Sequence, residues 1–228
     1  MCSSDLLYLE GERFHAFRVL RATKNRFGST DEVGVFEMGE NGLREVMNPS
    51  EVFLEERSRG VAGSVVVPTI EGTRPLLVEV QALVTPTSFG LPRRTVNGMD
   101  PQRIALLLAV LTKRAGLSSG SHDVYVNLVG GLRIREPATD LGVAVAVASA
   151  LRDRPADPRT VFLGELGLGG ELRRVQRLAS RLKEAERLGF ERAIVPAASV
   201  SDRDGTKLEV IGAATLRDAL ARSGISDQ

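Results

Sequence analysis

Asp123-Val124-Tyr125-Val126-Asn127-Leu128-Val129-Gly130-Gly131, then Arg135-Glu136-Pro137-Ala138-Thr139-Asp140, then Leu141-Gly142-Val143-Ala144-Val145-Ala146-Val147-Ala148-Ser149-Ala150-Leu151, is the stretch that decides the fold. Its first segment is rich in β-branched and apolar residues and closes on two glycines, which predicts a strand and a turn. Its last segment is apolar on every side. As a helix it has no face to offer water, yet it is far shorter than the roughly 18 to 20 residues of a membrane span, so it must be enclosed by its own domain. Asp140 is expected to cap its N-terminus. A strand, a glycine turn and a central core helix in succession predict an α/β (α+β) domain.

Two more helices carry end signals. Asp100 and Pro101 are an N-cap and first-turn pair, and Ile104, Leu107, Leu108 and Leu111 stack on one face before Gly116. Val175, Leu178, Ala179, Leu182 and Ala185 form the inner stripe of a second helix that ends at Gly189 and is followed by a strand over Arg192 to Val195. Leu216 to Leu220 predicts a last short helix behind a strand at Lys207 to Ile211. Upstream, Ser64 to Val67 and Leu76 to Val84 are β-rich and are joined by a turn at Glu71 to Pro75, an antiparallel pair. Before them, Leu6 to Glu10, Phe14 to Ala22 and Val33 to Met38 predict three strands at a sheet edge. Asn48-Pro49-Ser50-Glu51 then interrupts the pattern, with a short helix expected over Glu51 to Arg57. The expected boundary lies near Ser50, giving domains 1–50 and 51–228.

Composition narrows the function classes. With 43% hydrophobic and 26% charged residues in 228, the chain can bury a good core, and no apolar run reaches membrane-span length. No secretory signal opens the chain, so a cytoplasmic home and no membrane partner are expected. One cysteine, Cys2, can make neither an internal disulfide nor a zinc site. The net charge of +1 gives no global reason to propose a nucleic-acid partner, so local clusters must carry that case. Leu6 to Leu9 reads as a strand with no lead-in, so the chain is expected to be part of a longer protein.

Lys24-Asn25-Arg26-Phe27-Gly28 lies between two strand-like runs. In this context the chain resembles the RadA family of bacterial DNA-repair ATPases, from Leu6 to its end. The resemblance implies that residues 1–50 are the last strands of a RecA-like ATPase core and that 51–228 form a Lon-protease-like domain. It also implies that Lys24 and Arg26 act in trans on the nucleotide of a neighbouring subunit, as arginine-finger groups do. Phe27 is expected to matter for packing.

The stretch around Asp140 is similar to the segment of Lon that holds the catalytic serine, and Gly164 to Pro196 to the segment that holds its lysine. By that resemblance the nucleophile position is Asp140 and the base position is Ala179. A carboxylate would repel an oxyanion, and the nearby Arg181 cannot accept a serine proton at neutral pH, so peptidase activity is not expected. No Gly-x-x-x-x-Gly-Lys-Ser/Thr loop occurs in the chain. The family resemblance places ATP, Mg²⁺ and a zinc finger upstream, so no cofactor is expected on the chain itself.

Arg93 and Arg94, Arg133 and Arg135, and Arg173, Arg174 and Arg177 are the candidates for DNA phosphate contact, each in a Gly or Pro context. The expected partners are single-stranded and branched DNA, other copies of the protein in a hexameric ring, and a RecA-type recombinase. The expected role is the DNA-binding and ring-forming scaffold of a DNA-dependent ATPase and branch-migration helicase in recombinational repair. The alternative is a stand-alone pseudo-peptidase acting as a protein-interaction module.

Overall fold

A computed structural model describes residues 5–11, 17–27, 30, 32–88 and 90–225. Strands β1 (Leu6–Glu10), β2 (Phe17–Lys24), β3 (Val33–Gly39) and β4 (Gly42–Glu45) pair in sequence order as an antiparallel meander. β4 extends the expected three strands to four. Its residues Gly-Leu-Arg-Glu are all exposed, so they lack the apolar alternation that marks a half-buried strand. β2 starts at Phe17; the expected start at Phe14 lies outside the described residues. Helix α1 (Pro49–Glu55) begins two residues earlier than expected, with Pro49 in its first turn.

The rest of the chain builds a seven-stranded mixed sheet from β5 (Ser64–Glu71), β6 (Arg74–Pro86), β7 (Arg94–Asn97), β8 (His122–Leu128), β9 (Thr160–Phe162), β12 (Arg192–Pro196) and β13 (Glu209–Ala213). Its order is β13-β12-β9-β5-β6-β8-β7. The first four strands run parallel, the pairs β5-β6 and β6-β8 are antiparallel, and β7 lies parallel to β8 at the edge. A two-stranded hairpin, β10 (Glu165–Leu166) and β11 (Leu172–Arg173), stands apart. The hairpin turn expected between Glu71 and Pro75 is present, with Glu71 opposite Arg74.

Helices α2 (Pro101–Val110), α3 (Asp140–Arg152), α4 (Leu178–Arg187) and α5 (Leu216–Arg222) cover this sheet. Alternate strand residues separate into two cores. Val65, Val67, Val78 and Ile194 join the core that holds α2, α3 and α5, while Val66, Leu77, Ala193 and Val195 join the one that holds α4. Both faces are therefore dry, which is why the central strands read as unbroken apolar runs. The Asp100 side chain accepts from Gln102 N as an N-cap, and Ile104, Leu107, Leu108 and Leu111 are buried as expected. α2 runs on into a π-helical turn, Leu111–Ala115, that stops at the left-handed Gly116. α4 begins at Leu178, three residues after Val175, and Ala179 is only half buried.

The meander packs on the larger unit. Val19, Val35 and Val46 belong to the same core as Phe53 of α1, Phe17 meets Phe53 edge-on at 5.2 Å, and Arg21 Nη1 reaches Glu71 at 2.6 Å. Gly130, with φ of +94°, is where β8 turns under α1. A Cβ there would lie 2.7 Å from the Phe53 ring. Among the described residues, no helix is long and apolar enough to cross a membrane.

Candidate functional site

Asp140 is not an N-cap. A short turn, Pro137–Thr139, precedes it and Thr139 takes the cap position without a side-chain bond, so Asp140 is the first residue of α3. Its carboxylate is 2% exposed and turns away from its own helix end. Arg103 of α2 donates to both oxygens, with Nε to Oδ1 at 3.0 Å, and Leu166 N donates to Oδ2 at 3.0 Å. Arg103 also donates to Leu166 O at 3.2 Å, tying α2, α3 and β10 at one point. Burial pushes the Asp140 carboxyl up, and the Arg103 hydrogen bonds and the Leu166 N–H oppose it. The hydrogen bond with Asp140 in turn holds the Arg103 guanidinium above its usual value. The next helix N–H, at Leu141, donates to Gly164 O at 3.1 Å. An oxyanion at this helix start would meet a fixed carboxylate and an N–H already in use.

Ala179 carries no group that could move a proton. Two residues on, Arg181 is 1% exposed and fully engaged. It donates to Gln176 O at 3.0 Å, to Pro68 O at 3.0 Å, and to both carboxylate oxygens of Glu136, one at 2.9 Å. Glu136 also accepts from Thr69 Oγ1 at 3.0 Å and Ile70 N at 3.1 Å. Two ion pairs, Arg103–Asp140 and Arg181–Glu136, occupy this region and join helices to strands. Sequence reasoning missed both partners. A signal existed for Arg103, which lies four residues before Leu107 on the apolar face of α2, where a charge needs a partner.

Beside Asp140 opens a cleft of about 510 Å³, bordered by Asn97, Asp100, Arg103, Arg133, Arg135 and Asp140 among others. The expected DNA-contacting arginines fall into two groups. Arg94 donates to the carbonyls of Arg93, Ser119 and His122, and Arg177 to Gly72 O. Arg173 pairs with Glu171 at 2.7 Å and Arg174 with Asp202 at 3.7 Å. Arg93 and Arg135, in contrast, are exposed, and their guanidinium groups have no hydrogen-bond or ion-pair partner among the described residues; Arg133 is exposed on the same cleft wall as Arg135.

Lys24, Asn25, Arg26 and Phe27 sit together at the exposed turn after β2. Asn25 Oδ1 accepts from Phe27 N at 3.0 Å and Asp5 Oδ1 from Arg26 N at 3.1 Å, which shapes the turn while Lys24 and Arg26 stay open to solvent. Phe27 is 92% exposed, so among the described residues it anchors no core. Gly28 lies outside the described residues.

A family model described as "Subunit ChlI of Mg-chelatase" matches residues 80–199, from the middle of β6 past β12. The chain is similar to proteins named "DNA repair protein RadA": 56% identical to that of Halalkalibacterium halodurans over 95% of the chain and 48% of the relative. It is 55% identical to that of Bacillus subtilis over 96% and 48%, and 54% identical to that of Streptococcus pneumoniae over 95% and 52%. The chain spans about half the length of the curated relatives it matches. With a family match over just over half of its residues and these relatives along nearly all of them, the chain belongs to the RadA family and carries the domain described as subunit ChlI of Mg-chelatase.

Proposed function

We propose that this chain acts in cytoplasmic DNA repair as the DNA-contacting and ring-forming part of a DNA-dependent ATPase that moves branched recombination intermediates. The observation that carries the DNA contact is the placement of Arg93 and Arg135. Arg93 precedes β7 and Arg135 follows Ile134, whose N–H donates to Gly98 O just past the other end of the strand. Both are exposed, neither guanidinium has a hydrogen-bond or ion-pair partner among the described residues, and Arg133 and the 510 Å³ cleft lie beside Arg135. Such cations meet phosphates without reading bases. The relatives' name, DNA repair protein, supports the same assignment. In this assignment residues 51–228 are a Lon-like scaffold that has exchanged catalysis for the Arg103–Asp140 and Arg181–Glu136 struts, and residues 1–50 close a RecA-like sheet.

No Gly-x-x-x-x-Gly-Lys-Ser/Thr loop occurs in the chain, and among the described residues no group of three or more His, Cys, Asp or Glu side chains is placed to hold a metal ion. The exposed Lys24 and Arg26 would approach the nucleotide from the next member of a hexameric ring, and a RecA-type recombinase is the proposed partner on DNA.

Fluorescence anisotropy on labelled single-stranded DNA tests the contact. Affinity is expected to fall by more than tenfold between about 50 and 200 mM salt. Arg93→Ala with Arg135→Ala is expected to weaken binding equally for all sequences and to lower the salt slope by about 1.4, at ~0.7 per phosphate contact. Parental affinity and slope in the double variant would overturn the assignment.

A further inference from the structure

A second cleft, of about 210 Å³, lies between α1, the segment before β9 and the end of α4, and shares no residue with the first. Its apolar walls are Leu54, Pro158, Leu188 and Phe190, and its cations include Arg57 and Arg59. The other charges on its border are matched: Glu51 pairs with Arg187 at 2.6 Å and Arg159 with Glu191 at 2.8 Å. Arg57 is different. Half buried, with its guanidinium 6.0 Å over the Phe190 ring, it donates to Pro158 O at 3.0 Å and to Ser64 Oγ at 3.5 Å. It has no carboxylate within ion-pair distance among the described residues, and its Nη2 makes no hydrogen bond there. Exposed Arg59 is likewise unpaired.

A half-buried guanidinium normally finds an anion, because desolvating a charge is costly unless it is paired. Burial pushes the Arg57 guanidinium below the usual arginine value; the charge of Glu79 is the main opposing influence, the like charge of Arg59 adds to the lowering, and Asp157 opposes it weakly. Two neighbouring cations, spare donors and an apolar recess between them ask for a ligand with one anionic end and an apolar body. The recess is smaller than the roughly 300–1,000 Å³ of cofactor sites, which fits one side chain rather than a nucleotide. Its apolar walls also penalise a dianionic phosphate more than a singly charged carboxylate. We propose that this cleft is a binding site for an apolar monocarboxylate, with the carboxylate between Arg57 and Arg59 and the apolar body against Leu54, Leu188 and Phe190. A free acid and the last residue of a peptide share this chemistry.

Titration of the purified chain, followed by calorimetry and by NMR shifts of the Phe190 ring, tests the site with N-acetyl-leucine, N-acetyl-leucine amide and inorganic phosphate. The acid is expected to bind and to shift Phe190, and the amide and phosphate to bind at least tenfold more weakly. Arg59→Gln, at an exposed position that leaves the Arg57–Pro158 tie intact, is expected to weaken the acid at least tenfold with an unchanged melting curve. A short peptide ending in leucine separates the two sources: tighter binding than N-acetyl-leucine assigns the site to a peptide terminus, and weaker binding to a free acid. Equal binding of acid and amide, a preference for phosphate, or an unaffected Arg59→Gln chain would overturn the proposal. The DNA titration above does not involve this cleft, so either can fail without the other.

Discussion

Asp140 keeps a charge where almost no water reaches it, and it can do so because Arg103 and the Leu166 N–H surround it with donors. Asp140→Ala would leave the Arg103 guanidinium without its carboxylate, with only Leu166 O as acceptor, and the buried Leu166 N–H without one. Breaking a fully buried pair costs about 3–5 kcal/mol; Arg103 is 31% exposed and recovers part of this from water, so about 2–3 kcal/mol is expected in urea unfolding. Asp140→Asn, which keeps an acceptor for Leu166, should lose less; equal losses would deny the backbone bond its role. Glu184 shows the opposite pKa balance. Burial pushes its carboxyl up, but hydrogen bonds from Arg187 and Ser50 outweigh this and leave it below the usual glutamate value. The stabilisation is therefore present above the unfolded value of about 4.3 and is lost as pH falls through the lower folded value. The stability gap between the parental chain and Glu184→Gln is expected to shrink between about pH 6 and pH 3, read by denaturant unfolding at each pH. A gap constant with pH would refute the ion-pair account.

Among the elements, α3 sets the shape of the sheet's covered face. Its Gly142 lies so close to β5 that an added Cβ would stand 2.0 Å from Val67 Cγ1, and Val67 is fully buried with nowhere to go. Helix propensity alone favours alanine over glycine by about 1 kcal/mol. Overpacking of this severity costs up to about 3 kcal/mol, so packing decides the sign. Gly142→Ala is expected to destabilise by about 1–2 kcal/mol, a fall in melting temperature of roughly 3–6 °C for a chain of this size. A rise in melting temperature would mean that α3 and β5 are not in contact there. The position of α2 was legible from Asp100, Pro101 and the apolar stripe. β7 and β9 were not, because four- and three-residue strands carry too short a pattern to show a period.

At the scale of the whole molecule, the meander is held to the larger sheet by the Phe17–Phe53 contact, by Val19, Val35 and Val46 in the shared core, and by Arg21 on the buried Glu71. Burial pushes the Glu71 carboxyl up and Arg21 is its main opposing partner. Arg21→Ala would strand that carboxylate at the junction, a loss of about 2–3 kcal/mol once the one-third exposure of Arg21 is allowed for. Amide hydrogen exchange should locate the effect: β1 to β4 are expected to exchange at least tenfold faster while β5 and β6 keep their protection. Uniform acceleration would show instead that meander and sheet open as one unit.

The α/β class, the enclosed helix from Asp140, the β5–β6 hairpin, the cap and stripe of α2, and the family are readable in the amino-acid order, because these rest on local periodicity, end signals and contiguous motifs. What each charge does is visible only in the folded chain. Arg103 is 37 residues from Asp140 and Arg181 is 45 from Glu136, and ion pairs at such separations leave no periodic trace. The same holds for the arginines: Arg94, Arg173, Arg174 and Arg177 find partners, whereas the guanidinium groups of Arg93, Arg135, Arg57 and Arg59 make no ion pair among the described residues. A guanidinium is equally charged in either setting, and its availability to a ligand depends on the acceptors that folding brings to it.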